Sequence, residues 1–277
     1  MKQDEQILQT LRDMRETVDE EGELFAFYAR LLRAIIDKKE SLSLTEEQLV
    51  QAGEATNLAR EGEPHLQFDA LELEANDFYT WLLEVAQLFE ENDPGVMDEM
   101  EGIDAEESIV LARQWFEEGF TERGATIDAL LANAMRPYLE RSTEILLPLL
   151  PMHIWDETYC PVCGGLPDFA VWDEEQTTEL ICERCAATWE APVVGCLFCG
   201  ETDPEARGVY SSEDELYLVE VCDTCGSYLK GINRAQLPSG SEPLLAAERL
   251  LTPGLDMLAI QEGYVHPVGV GGREKQE

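Results

Sequence analysis

The chain has 277 residues, of which 44% are hydrophobic, and a formal charge of −39 from 58 acidic and 19 basic side chains. That length allows two domains, each with its own core. The charge has the wrong sign for neutralising phosphate, which speaks against nucleic-acid binding. The apolar run from Ile145 to Met152 is only eight residues and is broken by proline, so no membrane insertion is expected.

The N-terminus, Met-Lys-Gln-Asp-Glu-Gln, lacks the apolar stretch of a secretory signal, so a reducing, cytoplasmic setting is expected. Residues 1–154 carry no cysteine and read as a helical domain. Leu24, Tyr28, Leu31 and Ile35, with Phe25, Leu32 and Ile36 beside them, recur at three- and four-residue spacing, as on a helix with one core-facing stripe. Thr45 with Gln48 three residues later predicts a capping box that opens a helix containing Leu49 and Val50. The same periodicity returns in Phe78, Trp81, Leu82, Val85, Leu88 and Phe89, then in Ile109, Leu111, Ala112, Trp115 and Phe116. From about Thr121 a longer helix carries Leu130, Leu131, Ala134, Met135, Tyr138 and Leu139. Pro137, which has no N–H to donate, predicts a kink or a new segment within it. Pro148 and Pro151 close the helical part.

The eight cysteines follow, all within 66 residues and all in Cys-x-x-Cys pairs: Cys160/Cys163, Cys182/Cys185, Cys196/Cys199 and Cys222/Cys225. Gaps of 18, 10 and 22 residues separate successive pairs. The two wider gaps suit small ribbons that bring two knuckles around one ion, pairing first with second and third with fourth. Two intervening residues let a tight turn aim both sulfurs at one metal. A glycine follows the second cysteine in three pairs, as Gly164, Gly200 and Gly226, where a left-handed backbone would cost another residue more; Ala186 is the departure. Four thiolates suit either iron or zinc, and a closed shell leaves no open position for metal catalysis. Each ion supplies on the order of 10 kcal/mol of apparent folding free energy, enough to hold ribbons too small for a core.

Between knuckles, Phe169–Trp172 and Glu179–Ile181 read as short strands flanking an acidic turn, and Val209–Tyr210 and Leu216–Val219 as a second such pair around Ser211 to Glu215. The expected fold is therefore α+β: a helical domain over 1–154, rubredoxin-like or zinc-ribbon-like metal modules over 155–190 and 191–235, and a C-terminal helical segment and tail over 236–277. In that last segment Thr252 and Pro253 open a short helix ending near Gly263, and residues from Gly269 on are expected to be loose.

The three regions 1–154, 155–235 and 236–277 carry −23, −13 and −3, so the ribbons are themselves acidic. Arg184, Arg207, Lys230 and Arg234 are the only cations of 155–235 and cannot supply a broad basic face. High internal salt accounts for the acidity without any partner; docking of a basic partner is the other explanation. No catalytic constellation is present: His65, His153 and His266 are far apart, and there is no phosphate loop, Gly-x-Ser-x-Gly elbow or His-Glu-x-x-His motif.

Cys160-Pro161-Val162-Cys163-Gly164, Leu180-Ile181-Cys182-Glu183-Arg184-Cys185 with Trp189, and above all Glu220-Val221-Cys222-Asp223-Thr224-Cys225-Gly226-Ser227-Tyr228-Leu229-Lys230 carry a resemblance. It continues in Leu255-Asp256-Met257-Leu258-Ala259 and Glu262-Gly263-Tyr264. In these segments the chain resembles the FdhE family of formate dehydrogenase accessory proteins. The resemblance implies a cytoplasmic, non-catalytic assembly factor that binds the catalytic, molybdenum- or tungsten-cofactor subunit of formate dehydrogenase, with rubredoxin-like sites holding iron or zinc. The segment outside the last knuckle, with Asp223, Tyr228, Leu229 and Lys230, is the candidate recognition element, unless Tyr228 and Leu229 only pack the ribbon. A rubredoxin-like electron-transfer protein is the alternative in another class.

Overall fold

The computed structural model describes residues 5–10, 22–50, 55–173, 178–191, 194–237, 244–267 and 269. Residues 5–10 are helical. The helices that follow are α1 (Gly22–Ser41), α2 (Glu46–Leu49), α3 (Ala55–Glu61), α4 (Ala75–Glu90), α5 (Val96–Glu99), α6 (Ala105–Glu118), α7 (Ala125–Leu146), α8 (Leu245–Leu251) and α9 (Pro253–Gln261). Six strands lie between α7 and α8: β1 (Pro167–Trp172), β2 (Thr178–Cys182), β3 (Thr188–Ala191), β4 (Arg207–Ser211), β5 (Tyr217–Cys222) and β6 (Ser227–Asn233). The chain divides into two compact units, Met1–Gln51 with Leu66–Leu149, and Ala52–His65 with Leu150–Glu277. Most of the acidic turn expected after β1, over 174–177, and the tail expected to be loose, over 270–277, lie outside the described residues.

The first unit is helical. Phe25, Leu31, Leu32, Ile35 and Ile36 of α1 are buried, as are Phe78, Trp81, Leu82 and Val85 of α4 and Leu111, Ala112, Trp115 and Phe116 of α6; the side chain of Leu24 lies outside the described set. Helix α7 packs against α1, α4 and α6 and brings Leu130, Leu131, Ala134, Met135 and Leu139 to the core. The capping box exists: the Thr45 side chain accepts from the Gln48 N–H while the Gln48 side chain accepts from the Thr45 N–H. Pro137, expected to kink or restart the helix, lies inside one continuous α7 that begins at Ala125 rather than Thr121. Burial of the proline among packed helices offsets its missing hydrogen bond, and the Trp81 indole N–H donates to the nearby Ala134 carbonyl at 2.9 Å. Buried Glu140 pairs with Lys39 at 3.2 Å and Arg136 at 2.6 Å, which outweigh its desolvation and hold its carboxyl below the usual range.

The second unit is built on one six-stranded sheet in the order β3-β2-β1-β6-β5-β4. Each half is a three-stranded antiparallel meander that follows the same plan of knuckle, hairpin, knuckle and strand. The halves do not stay separate: β1 pairs in parallel with β6, setting Phe169 against Lys230 and Ala170 against Gly231. Gly231 is required there, since a Cβ would collide with the Ala170 carbonyl oxygen. Strand β6 lies beyond the expected strands, and it is buried along nearly its whole length. Residues 52–65, expected with the helical domain, belong to this unit, where the His65 N–H donates to the Pro161 carbonyl at 3.0 Å. The two His65 ring nitrogens also face the Ala55 and Pro161 carbonyl oxygens, each at 2.9 Å. Helix α9 lies on β5 and β6, where Ala259, Leu255 and Tyr264 pack with Val219, Val221 and Tyr228.

Candidate metal centres

All four knuckles fold the same way. In each, the carbonyl of the first cysteine accepts from the N–H four residues on: Gly164 to Cys160 at 2.9 Å, Ala186 to Cys182 at 3.2 Å, Gly200 to Cys196 at 2.8 Å and Gly226 to Cys222 at 2.8 Å. The residue that donates this bond is left-handed every time, with φ of 78°, 55°, 76° and 69° in that order. Three glycines meet that requirement without strain, whereas Ala186 adopts it against its Cβ. The first cysteine's own N–H closes the loop onto the carbonyl five residues on in three knuckles, at Gly165, Ala187 and Glu201. The fourth knuckle aligns Cys222 with Ser227 in the β5–β6 ladder.

The hairpins then bring the knuckles together in the expected pairing. Cys160, Cys163, Cys182 and Cys185 form one cluster and Cys196, Cys199, Cys222 and Cys225 the other, each with all sulfurs within 4.8 Å of one another. Sγ–Sγ separations are 3.5 Å for Cys160–Cys185 and Cys163–Cys182. They are 3.7 Å for Cys196–Cys225 and Cys199–Cys222. These are far too long for disulfides and close to the roughly 3.8 Å edge of a tetrahedron whose corners lie about 2.3 Å from a zinc ion. The donor set therefore fits a tetrahedral ion, and a bound ion would supply charge compensation and cross-linking to thiolates that otherwise repel one another.

Electrostatics agree with that need. Burial first, and the neighbouring thiols second, push the Cys160 thiol well up; burial does the same to Cys185. At the second cluster, burial lifts Cys196 to about 12. Burial also raises Cys225, but the Ser227 hydroxyl and N–H outweigh it and bring the thiol to about 7. Without a cation the clusters hold protons; binding a metal releases them, so affinity rises with pH. Around the first cluster, the Gly165 N–H donates to the Cys163 sulfur and the Arg184 N–H to the Cys182 sulfur, each at 3.4 Å. Arg249 of α8 donates to the Cys182 carbonyl at 2.8 Å and pairs with Asp168 at 3.2 Å, tying the helix to the knuckle.

The residues expected to recognise a partner divide. Asp223 is exposed and accepts from the Tyr264 hydroxyl at 2.6 Å. Tyr228, Leu229 and Lys230 are buried in β6; the Tyr228 hydroxyl donates to Asp256 at 2.9 Å, and the Lys230 ammonium reaches Asp256 at 2.5 Å and the Arg249 carbonyl at 3.1 Å. Asp168 and Arg249 carry no sequence signal at the site, because they pair across the chain, and Asp256, noted only within a segment of the resemblance, is brought to Lys230 by the fold. The ribbon cations are also committed: Arg207 pairs with Glu220 at 3.6 Å, Arg234 with Glu179 at 2.7 Å, and Arg184 is buried.

Comparison with known proteins leads to one group. An FdhE homolog of Aquifex aeolicus is 27% identical over 116 residues, 40% of either chain. An FdhE homolog of Rhizobium meliloti is 33% identical over 111 residues, 38% of this chain and 35% of the relative. Over these stretches the chain is similar to FdhE proteins. An Escherichia coli FdhE protein is 29% identical over 109 residues, 38% of this chain and 34% of the relative. The aligned parts thus span 34–40% of the length of these curated FdhE relatives. The crystal structure of FdhE from Pseudomonas aeruginosa superposes with a TM-score of 0.59 over 96% of this chain and 92% of that one, at 19% identity, and so shares the fold. No family model matches the sequence.

Proposed function

We propose that this protein is a non-catalytic accessory factor that binds the catalytic subunit of formate dehydrogenase in the cytoplasm and supports its maturation, using two four-cysteine ions as scaffold. What supports this reading is the pair of four-cysteine groups, each placed to hold one ion, built into one sheet of a chain similar to FdhE proteins. Closed clusters stiffen a surface and offer no open coordination position, which suits recognition better than turnover. No described helix is long and apolar enough to cross a membrane. In this reading Asp223 stands on the docking surface, and Tyr228, Leu229 and Lys230 support it from behind. Affinity purification of the tagged full chain from cells expressing formate dehydrogenase is expected to recover its catalytic subunit, and Asp223→Lys to weaken recovery at unchanged metal content. Absence of that subunit where it is expressed would overturn the proposal.

A further inference from the structure

The two clusters have the same ligands and the same knuckles but different surroundings. Cys160, Cys163, Cys182 and Cys185 are all buried, whereas in the second cluster Cys199 and Cys225 are exposed and only Cys196 and Cys222 are buried. Close packing reaches the sulfurs only at the first cluster, although Gly195 beside Cys196 is packed tightly against the Glu201 backbone. A Cβ at Gly165, beside the first cluster, would stand 2.9 Å from the Cys182 sulfur and 2.6 Å from the Arg184 side chain. A Cβ at Gly200 or Gly226, in the second cluster's knuckles, would meet nothing within 4 Å. Cys196 and Cys222, the buried pair of the second cluster, also line a small recess with Phe198, Arg207, Glu220 and Tyr228, with room for roughly one water. His65 and Arg249 brace the first cluster's knuckles at the Pro161 and Cys182 carbonyls, and Tyr264 and Val265 brace the second cluster's last knuckle at Asp223 and the Gly226 carbonyl, so the difference between the sites lies in the exposure of the thiols themselves.

We infer that the two sites divide the labour: the Cys160/Cys163/Cys182/Cys185 ion is a permanent part of the fold, and the Cys196/Cys199/Cys222/Cys225 ion is exchangeable with soft donors from solution. An incoming thiolate or chelator reaches the second ion on the Cys199–Cys225 side. Its donor atom forms a bond to the metal as one metal–sulfur bond breaks, and the released cysteine thiolate takes a proton from water, with no change in oxidation state. At the first site the same step first requires opening of the packed knuckle, which makes it a local-unfolding event. This division of roles stands whether or not formate dehydrogenase is the client.

The test uses the full chain loaded with two equivalents of zinc and challenged with an excess of a chromogenic chelator. Release is expected in two phases of one equivalent each, the second slower by at least about tenfold, as its opening step demands. Far-UV circular dichroism should hold through the first phase. Cys199→Ser with Cys225→Ser should abolish the fast phase and leave one slowly released ion. Because that variant can perturb folding, the native protein is also alkylated briefly with N-ethylmaleimide during release and mapped by mass spectrometry. Modification is expected first at Cys199 and Cys225 and last at the first cluster. A single phase releasing both ions, or equal alkylation of the two clusters, would overturn the inference.

Discussion

A single residue, Ala186, breaks the rule that the other three knuckles keep. Its φ of 55° lies where L side chains are strained, and the glycines at the equivalent positions take the same backbone freely. Ala186→Gly is therefore expected to stabilise the protein by up to about 1 kcal/mol, read as a rise in melting temperature at full metal occupancy. Gly226→Ala should do the reverse by a similar amount, since open space around its Cβ leaves the backbone as the only cost. Equal melting temperatures for both variants and the parent would show that the knuckle turn does not need the left-handed residue.

Elements decide how the halves combine. Hairpins β1–β2 and β4–β5 are local, and each is legible as a pair of short apolar runs around an acidic or polar turn. Strands β3 and β6 are not, although each pairs with the strand just before its knuckle, because β3 is only four residues long and Lys230 and Gly231 interrupt the apolar run of β6. The β1–β6 junction depends on the close approach at Gly231, so Gly231→Val should force the halves apart at a cost of about 3 kcal/mol. Each cluster draws its ligands from one half, so two bound ions per chain are expected to survive this substitution while the melting temperature falls. Retention of the parent's melting temperature would mean that the junction adds little stability.

Across the whole molecule, the charge of −39 has consequences that no single pair removes. Salt shortens the Debye length from about 10 Å at 0.1 M to about 3 Å at 1 M, which screens carboxylate repulsion but leaves metal–thiolate cross-links intact. The melting temperature of the metal-loaded chain is expected to climb between low and molar salt, and a flat profile would argue against adaptation to high salt. The ribbon's few cations are consumed in internal pairs or burial, so the field around that unit remains acidic.

Local spacing and periodicity are enough to dictate the two four-cysteine groups and their pairing, the turn in each knuckle and the helical character of most of residues 22–146, because each depends on a few neighbouring residues or on a repeating stripe. Long-range packing is what makes the two ribbons share one sheet, brings His65 onto the first knuckle, and turns Tyr228, Leu229 and Lys230 inward. It also sets which cluster is sealed and which meets solvent. A knuckle's sterics lie within about six residues, whereas burial is the sum of contacts with residues far along the chain, and no local spacing encodes that sum.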